Sequence, residues 1–99
     1  MDILKVSGGK VELRNSNGTL LRIIVTGGAV DADLSSSGQI LITYLNGKVE
    51  LRNNNGTLLR IIVFRDAVSA RWSGNDIVVR LSGGKTELRN DNGTLLRIL

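Results

Sequence analysis

Short runs of Val, Ile, Leu and Thr alternate with charged residues along this chain, as in Val11, Leu13 against Lys10, Glu12, Arg14. No stretch sustains the helical apolar period of about 3.6 residues, and the runs are bounded by Gly, Asn, Asp and Ser. The pattern predicts an all-β chain, with strands over 3–7, 10–15, 20–25, 29–34 and 40–45, and corresponding strands beyond. With no proline and twelve glycines, the punctuation between strands rests on glycine turns.

The pattern repeats. Residues 9–23 return as 47–61 and 84–98, differing almost only at a turn position (Ser16, Asn54, Asp91) and at Thr86. Gly9, Gly47 and Gly84 open the copies, 38 and then 37 residues apart. This is the signature of a repeat architecture, in which one supersecondary unit recurs and neighbouring units bury each other.

Turn chemistry predicts the pairing. A two-residue turn at Gly8-Gly9 pairs Ser7 with Lys10, Val6 with Val11, Lys5 with Glu12 and Leu4 with Leu13. By the same logic Asn46-Gly47 pairs Tyr44 with Val49, Thr43 with Glu50 and Ile42 with Leu51, and Gly83-Gly84 pairs Arg80 with Glu87 and Val79 with Leu88. For the next hairpin a three-residue loop, Ser16-Asn17-Gly18 with Gly18 left-handed in a G1 bulge, keeps like faces together. It pairs Leu13 with Leu21, Val11 with Ile23 and Glu12 with Arg22. The expected ion pair recurs as Glu50 with Arg60 and Glu87 with Arg97.

Each unit is thus an antiparallel meander, with unit boundaries at 1–28, 29–66 and 67–99 in a single repeat domain. The first three strand types occur three times and the fourth, 29–34 and 67–72, only twice. Eleven strands stand where three complete units need twelve. One unit is therefore incomplete, and 3–7 presents an open edge on which another chain can pair.

At this point the residues resemble a known family. Ala67-Val68-Ser69-Ala70-Arg71-Trp72-Ser73-Gly74-Asn75-Asp76, Ile77-Val78-Val79, Lys85-Thr86-Glu87-Leu88-Arg89-Asn90 and Gly93-Thr94-Leu95-Leu96-Arg97 look like a shortened blade of a WD40 β-propeller. The order is inner strand, two middle strands, outer strand, and the resemblance covers the whole chain. Arg-Asn stands where the family has Trp-Asp, the Gly-His pair is absent, and 37 residues is short against the roughly 40–45 of such a blade. The resemblance implies β-propeller-like blades and a non-enzymatic scaffold for protein interaction. The alternative fold is a β-trefoil, also three four-stranded repeats, to which 20–24 followed by 29–31 is similar; it would act as a monomeric binding domain.

Composition narrows the chemistry. The chain has neither cysteine nor histidine, which removes disulfides, thiolate metal sites and the commonest general base. Ser35, Ser36, Ser37 and Ser73 lie beside glycines as turn residues. Asp31 and Asp33 alternate with Val30 and Ala32 as the wet face of a strand. The Asn-Gly-Thr triplets at 17–19, 55–57 and 92–94 match a glycosylation pattern, but the G1-bulge turn requires the same residues. Trp72 is in phase with Val68 and Ala70 and reads as core or interface. No catalytic set, cofactor site or metal site emerges, and the expectation is a protein that is not an enzyme.

The formal charge of +4 follows the repeat, since each Lys, Glu, Arg, Arg set contributes a net +2. Lys10, Arg14, Lys48, Arg52, Lys85 and Arg89 would form a periodic basic band, able to attract a polyanion such as nucleic acid or an acidic glycan. The simpler reading is a solvated strand face held by cross-strand pairs. With no secretion signal and no apolar run near the ~20 residues of a membrane helix, a cytoplasmic protein without membrane contact is expected. Three blades cannot close a ring, so a homo-oligomer is expected, a dimer above all, with Ile3, Leu4 and Val6 near the subunit boundary.

Overall fold

The computed structural model describes residues 2–99; Met1, the first residue of the first unit, lies outside the described residues. The eleven strands are β1 (Ile3–Ser7), β2 (Lys10–Arg14), β3 (Leu20–Val25), β4 (Ala29–Leu34), β5 (Ile40–Tyr44), β6 (Val49–Arg52), β7 (Leu58–Val63), β8 (Ala67–Ser73), β9 (Asp76–Leu81), β10 (Thr86–Arg89) and β11 (Leu95–Ile98). They form three antiparallel meanders: β1-β2-β3, β4-β5-β6-β7 and β8-β9-β10-β11. The fold is all-β, and the first sheet is one strand short.

The sheets stack in series. Val11, Leu13 and Ile24 of the first sheet meet Ala29, Ile40 and Ile42 of the second, joined at the margin by Leu4, Val6, Leu34 and Tyr44. Leu41, Val49, Leu51, Ile62 and Val63, largely from the second sheet's other face, meet Ala67, Ala70, Ile77 and Val79 of the third, with Trp72 and Leu81 packed against them. The middle sheet is therefore apolar on both faces. Consecutive residues Ile40, Leu41 and Ile42 are all fully buried, each contributing roughly 1.5–3 kcal/mol relative to exposure.

Turn length explains where the register departs from expectation. In β1–β2 the pairs Ser7↔Lys10, Val6↔Val11, Lys5↔Glu12 and Leu4↔Leu13 are as predicted, around a turn in which Gly8 and Gly9 both have positive φ. In the second sheet the pairs are Thr43↔Val49, Ile42↔Glu50 and Leu41↔Leu51, and in the third Arg80↔Thr86 and Val79↔Glu87. These differ by one residue from the expected pairs, because the turns there are three-residue loops. Gly47 N donates to Tyr44 O and Tyr44 N to Lys48 O, with Gly47 at φ 89°. In the second sheet, where both faces are buried, apolar alternation cannot choose between the two registers.

The second hairpin of each unit corrects another expectation. The predicted G1-bulge loop is present: Gly18 N donates to Asn15 O, Asn15 N to Thr19 O, and Gly18 has φ 86°. Immediately beyond it β3 bulges, so that Leu13 pairs with Arg22 and Glu12 with Ile23; a second bulge sets Val11 opposite Val25. Two extra residues on β3 overrule the register that the loop alone would impose. The expected Glu12–Arg22, Glu50–Arg60 and Glu87–Arg97 pairs do not form, and the glutamates find other partners.

Candidate functional site

The repeated Lys-x-Glu-x-Arg of each second strand folds onto itself. Alternate residues share a face of a strand, so the cations two positions either side of the glutamate converge on it. Arg14 donates through Nε and Nη2 to Glu12 Oε1 (3.0 and 2.8 Å), Lys10 Nζ lies 3.2 Å from Oε2, and Arg14 Nη1 donates to Gly18 O at 2.6 Å. Glu50 is held likewise by Arg52 (2.9 Å) and Lys48 (3.0 Å), with Arg52 Nη1 on Gly56 O at 2.6 Å. Glu87 is held by Arg89 (2.9 Å), which also reaches Gly93 O at 2.6 Å. The clamp ties strand to loop within each blade.

This arrangement departs from the solvated face expected of these residues. Glu12, Glu50 and Glu87 are buried, at 7%, 3% and 7% exposure. Glu12 lies on the outer face of the first sheet, and its cover is its own two cations. The hydrogen bonds from Arg14 and then Lys10 hold its carboxyl below the usual carboxylate range. At Glu50 burial pushes upward, but the donors Tyr44, Lys48 and Arg52 outweigh it and the carboxyl is lowered. Burial, then the bond to Glu50, pushes the Tyr44 hydroxyl up to about 12.

Of the six basic-band residues, Arg14, Arg52 and Arg89 spend their guanidinium groups on a glutamate and a loop carbonyl. Lys10 and Lys48 are paired with glutamates, and Lys48 also stands over the Tyr44 ring at 4.8 Å. Lys85 is exposed and, among the described residues, has no ion-pair partner. Of the three residues placed at a subunit boundary, Leu4 and Val6 pack into the chain's own first core, whereas Ile3 is 50% exposed on the edge strand.

The contacts between blades come from residues whose role the sequence reading missed. Arg22 Nη1 donates to Asn55 O (3.4 Å), and Arg60 Nη1 to Asn92 Oδ1 (3.2 Å), so each outer-strand arginine reaches the loop of the next blade. A Cβ on Gly56 would lie 3.7 Å from Ile24 O, and one on Gly93 3.5 Å from Ile62 O, so each loop rests on the preceding outer strand. Gly9 O accepts from Ala29 N and Gly47 O from Ala67 N, each at 3.0 Å. Asp31 and Asp33, read as a wet face, point at the next blade: Asp31 pairs with Arg71, and Asp33 Oδ2 accepts from Trp72 N at 2.8 Å. The signal that could have located them is the repeat alignment, which sets Asp33 against Arg71.

The same contacts are half-made at the two ends of the stack. A Cβ on Gly18 or on Gly84 would meet nothing within 4 Å. Arg97 occupies the position of Arg22 and Arg60. Leu99 occupies that of Ile24 and Ile62, which are 6% and 4% exposed, yet is itself 63% exposed. Among the described residues no cluster of three or more acidic or metal-ligating side chains forms, and no helix is long and apolar enough to cross a membrane.

No family model matches the chain, and a search of curated proteins found no match. Among solved structures it is similar to the crystal structure of the WD40 beta propeller domain of Doa1, with a TM-score of 0.79 at 16% identity. The match covers 99% of this chain and 36% of that one, so the chain spans about a third of that structure's length. At this identity the likeness shows the fold: WD40-like propeller blades, and not a trefoil closed around a single axis.

Proposed function

We propose that the chain is a non-enzymatic β-repeat scaffold, built of units 1–28, 29–66 and 67–99, that assembles head to tail into a propeller-like ring and mediates protein interaction. The observation that carries this reading is the pair of half-made contacts at the ends. Arg97 and Leu99 offer what Arg22 with Ile24, and Arg60 with Ile62, offer inside the chain. The loop around Asn17 and Gly18 offers what the loops of the second and third blades receive. Joining the third blade of one copy to the first of another repeats an interface the chain already makes twice. Two copies supply six blades, within the four to eight typical of propellers, and a closed two-fold ring leaves no end face in water.

An enzyme is not favoured, since neither histidine nor cysteine is present and the serines lie in turns. The test is the molar mass in solution by light scattering at micromolar concentration. The expected value is twice the 10.7 kDa of one chain, falling to one chain in Arg97→Ala combined with Leu99→Asp while circular dichroism is unchanged. A mass of one chain for the parent protein overturns the ring. Leu4→Asp is not a clean probe, because Leu4 belongs to the chain's own core.

A further inference from the structure

The outer edge of β1 is unpaired, and the other two sheets show what occupies that position. In the second sheet β4 lies there, pairing Leu34↔Ile40, Asp33↔Leu41, Ala32↔Ile42 and Asp31↔Thr43; in the third, β8 does the same for β9. Ile3, Leu4, Lys5 and Val6 are the counterparts of Ile40, Leu41, Ile42 and Thr43, because they pair with the equivalent residues of β2. The edge therefore has the geometry of one that twice within this chain receives an extended strand, of six residues in β4 and seven in β8.

A cavity of about 610 Å³ lies along this edge, between Ile3 and Leu4 on one side and Ala32, Asp33 and Leu34 of β4 on the other. Among the described residues the charged members of its lining are Asp2 and Asp33, with no Lys or Arg, in a chain of net charge +4. The internal template makes the polarity specific. Between the second and third blades, Asp31 of the inner strand meets Arg71 of the next. One blade earlier the residue in the place of Arg71 is Asp33, so the pair is reversed, and a strand entering beside β1 meets a carboxylate at its third position.

We propose that the edge of β1 binds an extended peptide segment of another protein by antiparallel strand addition, with Lys or Arg at the third of six positions facing Asp33. Backbone hydrogen bonds supply the affinity and the cation supplies the choice. The site deepens the interaction-scaffold reading by naming the chemistry of the partner. It belongs to one chain and does not depend on ring closure, so it stands or falls separately from the molar mass.

The test is a titration of the isotope-labelled 99-residue chain with the end-blocked peptide Ala-Val-Lys-Ala-Asp-Leu, the β4 sequence with lysine third, followed by amide chemical shifts. The expected result is a saturable change at Ile3–Ser7 and at residues 32–34. Aspartate at the third position should weaken binding about threefold or more. Proline at the fifth, the counterpart of Asp33 whose pairing with Leu41 is a hydrogen-bonded one, should abolish it by removing a ladder donor. Asp33→Asn keeps an acceptor for Trp72 N and should erase the difference between the lysine and aspartate peptides, with the circular dichroism of the folded chain unchanged at the titration temperature. Shifts that bypass β1, equal binding of the lysine and aspartate peptides, undiminished binding of the proline peptide, or no saturable shift up to the solubility limit would each overturn the proposal.

Discussion

Tyr44 donates its hydroxyl to Glu50 Oε1 at 2.6 Å, a bond peculiar to the second blade, because Ser7 and Leu81 hold the corresponding positions opposite Lys10 and Lys85. The middle blade is the one covered on both faces, and its glutamate is the least exposed of the three. A third donor there offsets burial that Lys48 and Arg52 would otherwise answer alone. Tyr44→Phe should lower unfolding free energy by about 1.5–3 kcal/mol, the range for a hydrogen bond to a charged group, as read by urea denaturation.

The same pair sets a pH response at each end of the scale. Tyr44 is the only tyrosine, so the near-ultraviolet absorbance change on phenol ionisation reports it alone, the Trp72 indole adding a constant background, with an expected midpoint of about 12 in place of the ordinary 10.0. A raised folded value means that the stability is complete below pH 10 and is lost as pH rises toward 12. Glu12 and Glu50 have folded values depressed below 4.5, so their contribution is present above pH 4.5 and is lost as pH falls through the lower folded values. Thermal unfolding between pH 2 and pH 12 should show both flanks, and Tyr44→Phe should flatten the alkaline one.

Two glycines separate backbone strain from crowding. Gly18 and Gly47 have nearly the same positive φ, but a Cβ at Gly18 meets nothing, whereas one at Gly47 would lie 2.3 Å from Asp66 N. Gly18→Ala should therefore cost the left-handed strain alone, about 1–2 kcal/mol. Gly47→Ala should cost more, since the turn must also move off the backbone that links the second and third sheets. Chemical denaturation of the two variants ranks them.

The strands, the repeat and the incomplete first unit are visible in the sequence because each depends on local turn residues and on alternation. The G1-bulge loops are legible for the same reason: Asn15 Oδ1 accepts from both Asn17 N and Thr19 N, chemistry contained within five residues. The bulges at Leu21 and Ile24 are not legible, since no glycine or proline marks them and β3 is apolar on successive positions. They turn Arg22 away from Glu12 and toward the next blade. The burial of Glu12 was equally hidden, because a charged strand face looks solvated until its own cations fold over it. Asp31 and Asp33 alternate with apolar residues as solvated residues would, and only the third dimension brings Arg71 and Trp72 to them.

Arg60 and Asn92 give an internal measure of the bond expected between copies. A double-mutant cycle of Arg60→Ala and Asn92→Ala should yield a coupling of about 0.5–1.5 kcal/mol in unfolding, the ordinary net value of a hydrogen bond. Arg97→Ala should leave the unfolding of the dissociated chain unchanged and act only on assembly. A loss of chain stability at Arg97 equal to that at Arg60 would place its partner within the same chain.

The head-to-tail junction can be read directly by a crosslink, because the chain contains no cysteine of its own. Asn17→Cys and Leu99→Cys are prepared as separate single variants, mixed, and oxidised under mild conditions. Inside the chain Ile24 Cδ1 comes within 4.0 Å of the Gly56 Cβ position, so the equivalent junction brings residue 99 of one copy beside the loop at residue 17 of another. The account predicts that the mixed disulfide between the two variants forms well ahead of either symmetric one. Disulfides that are predominantly 17-to-17 or 99-to-99, or a chain that stays monomeric under oxidation, would contradict it.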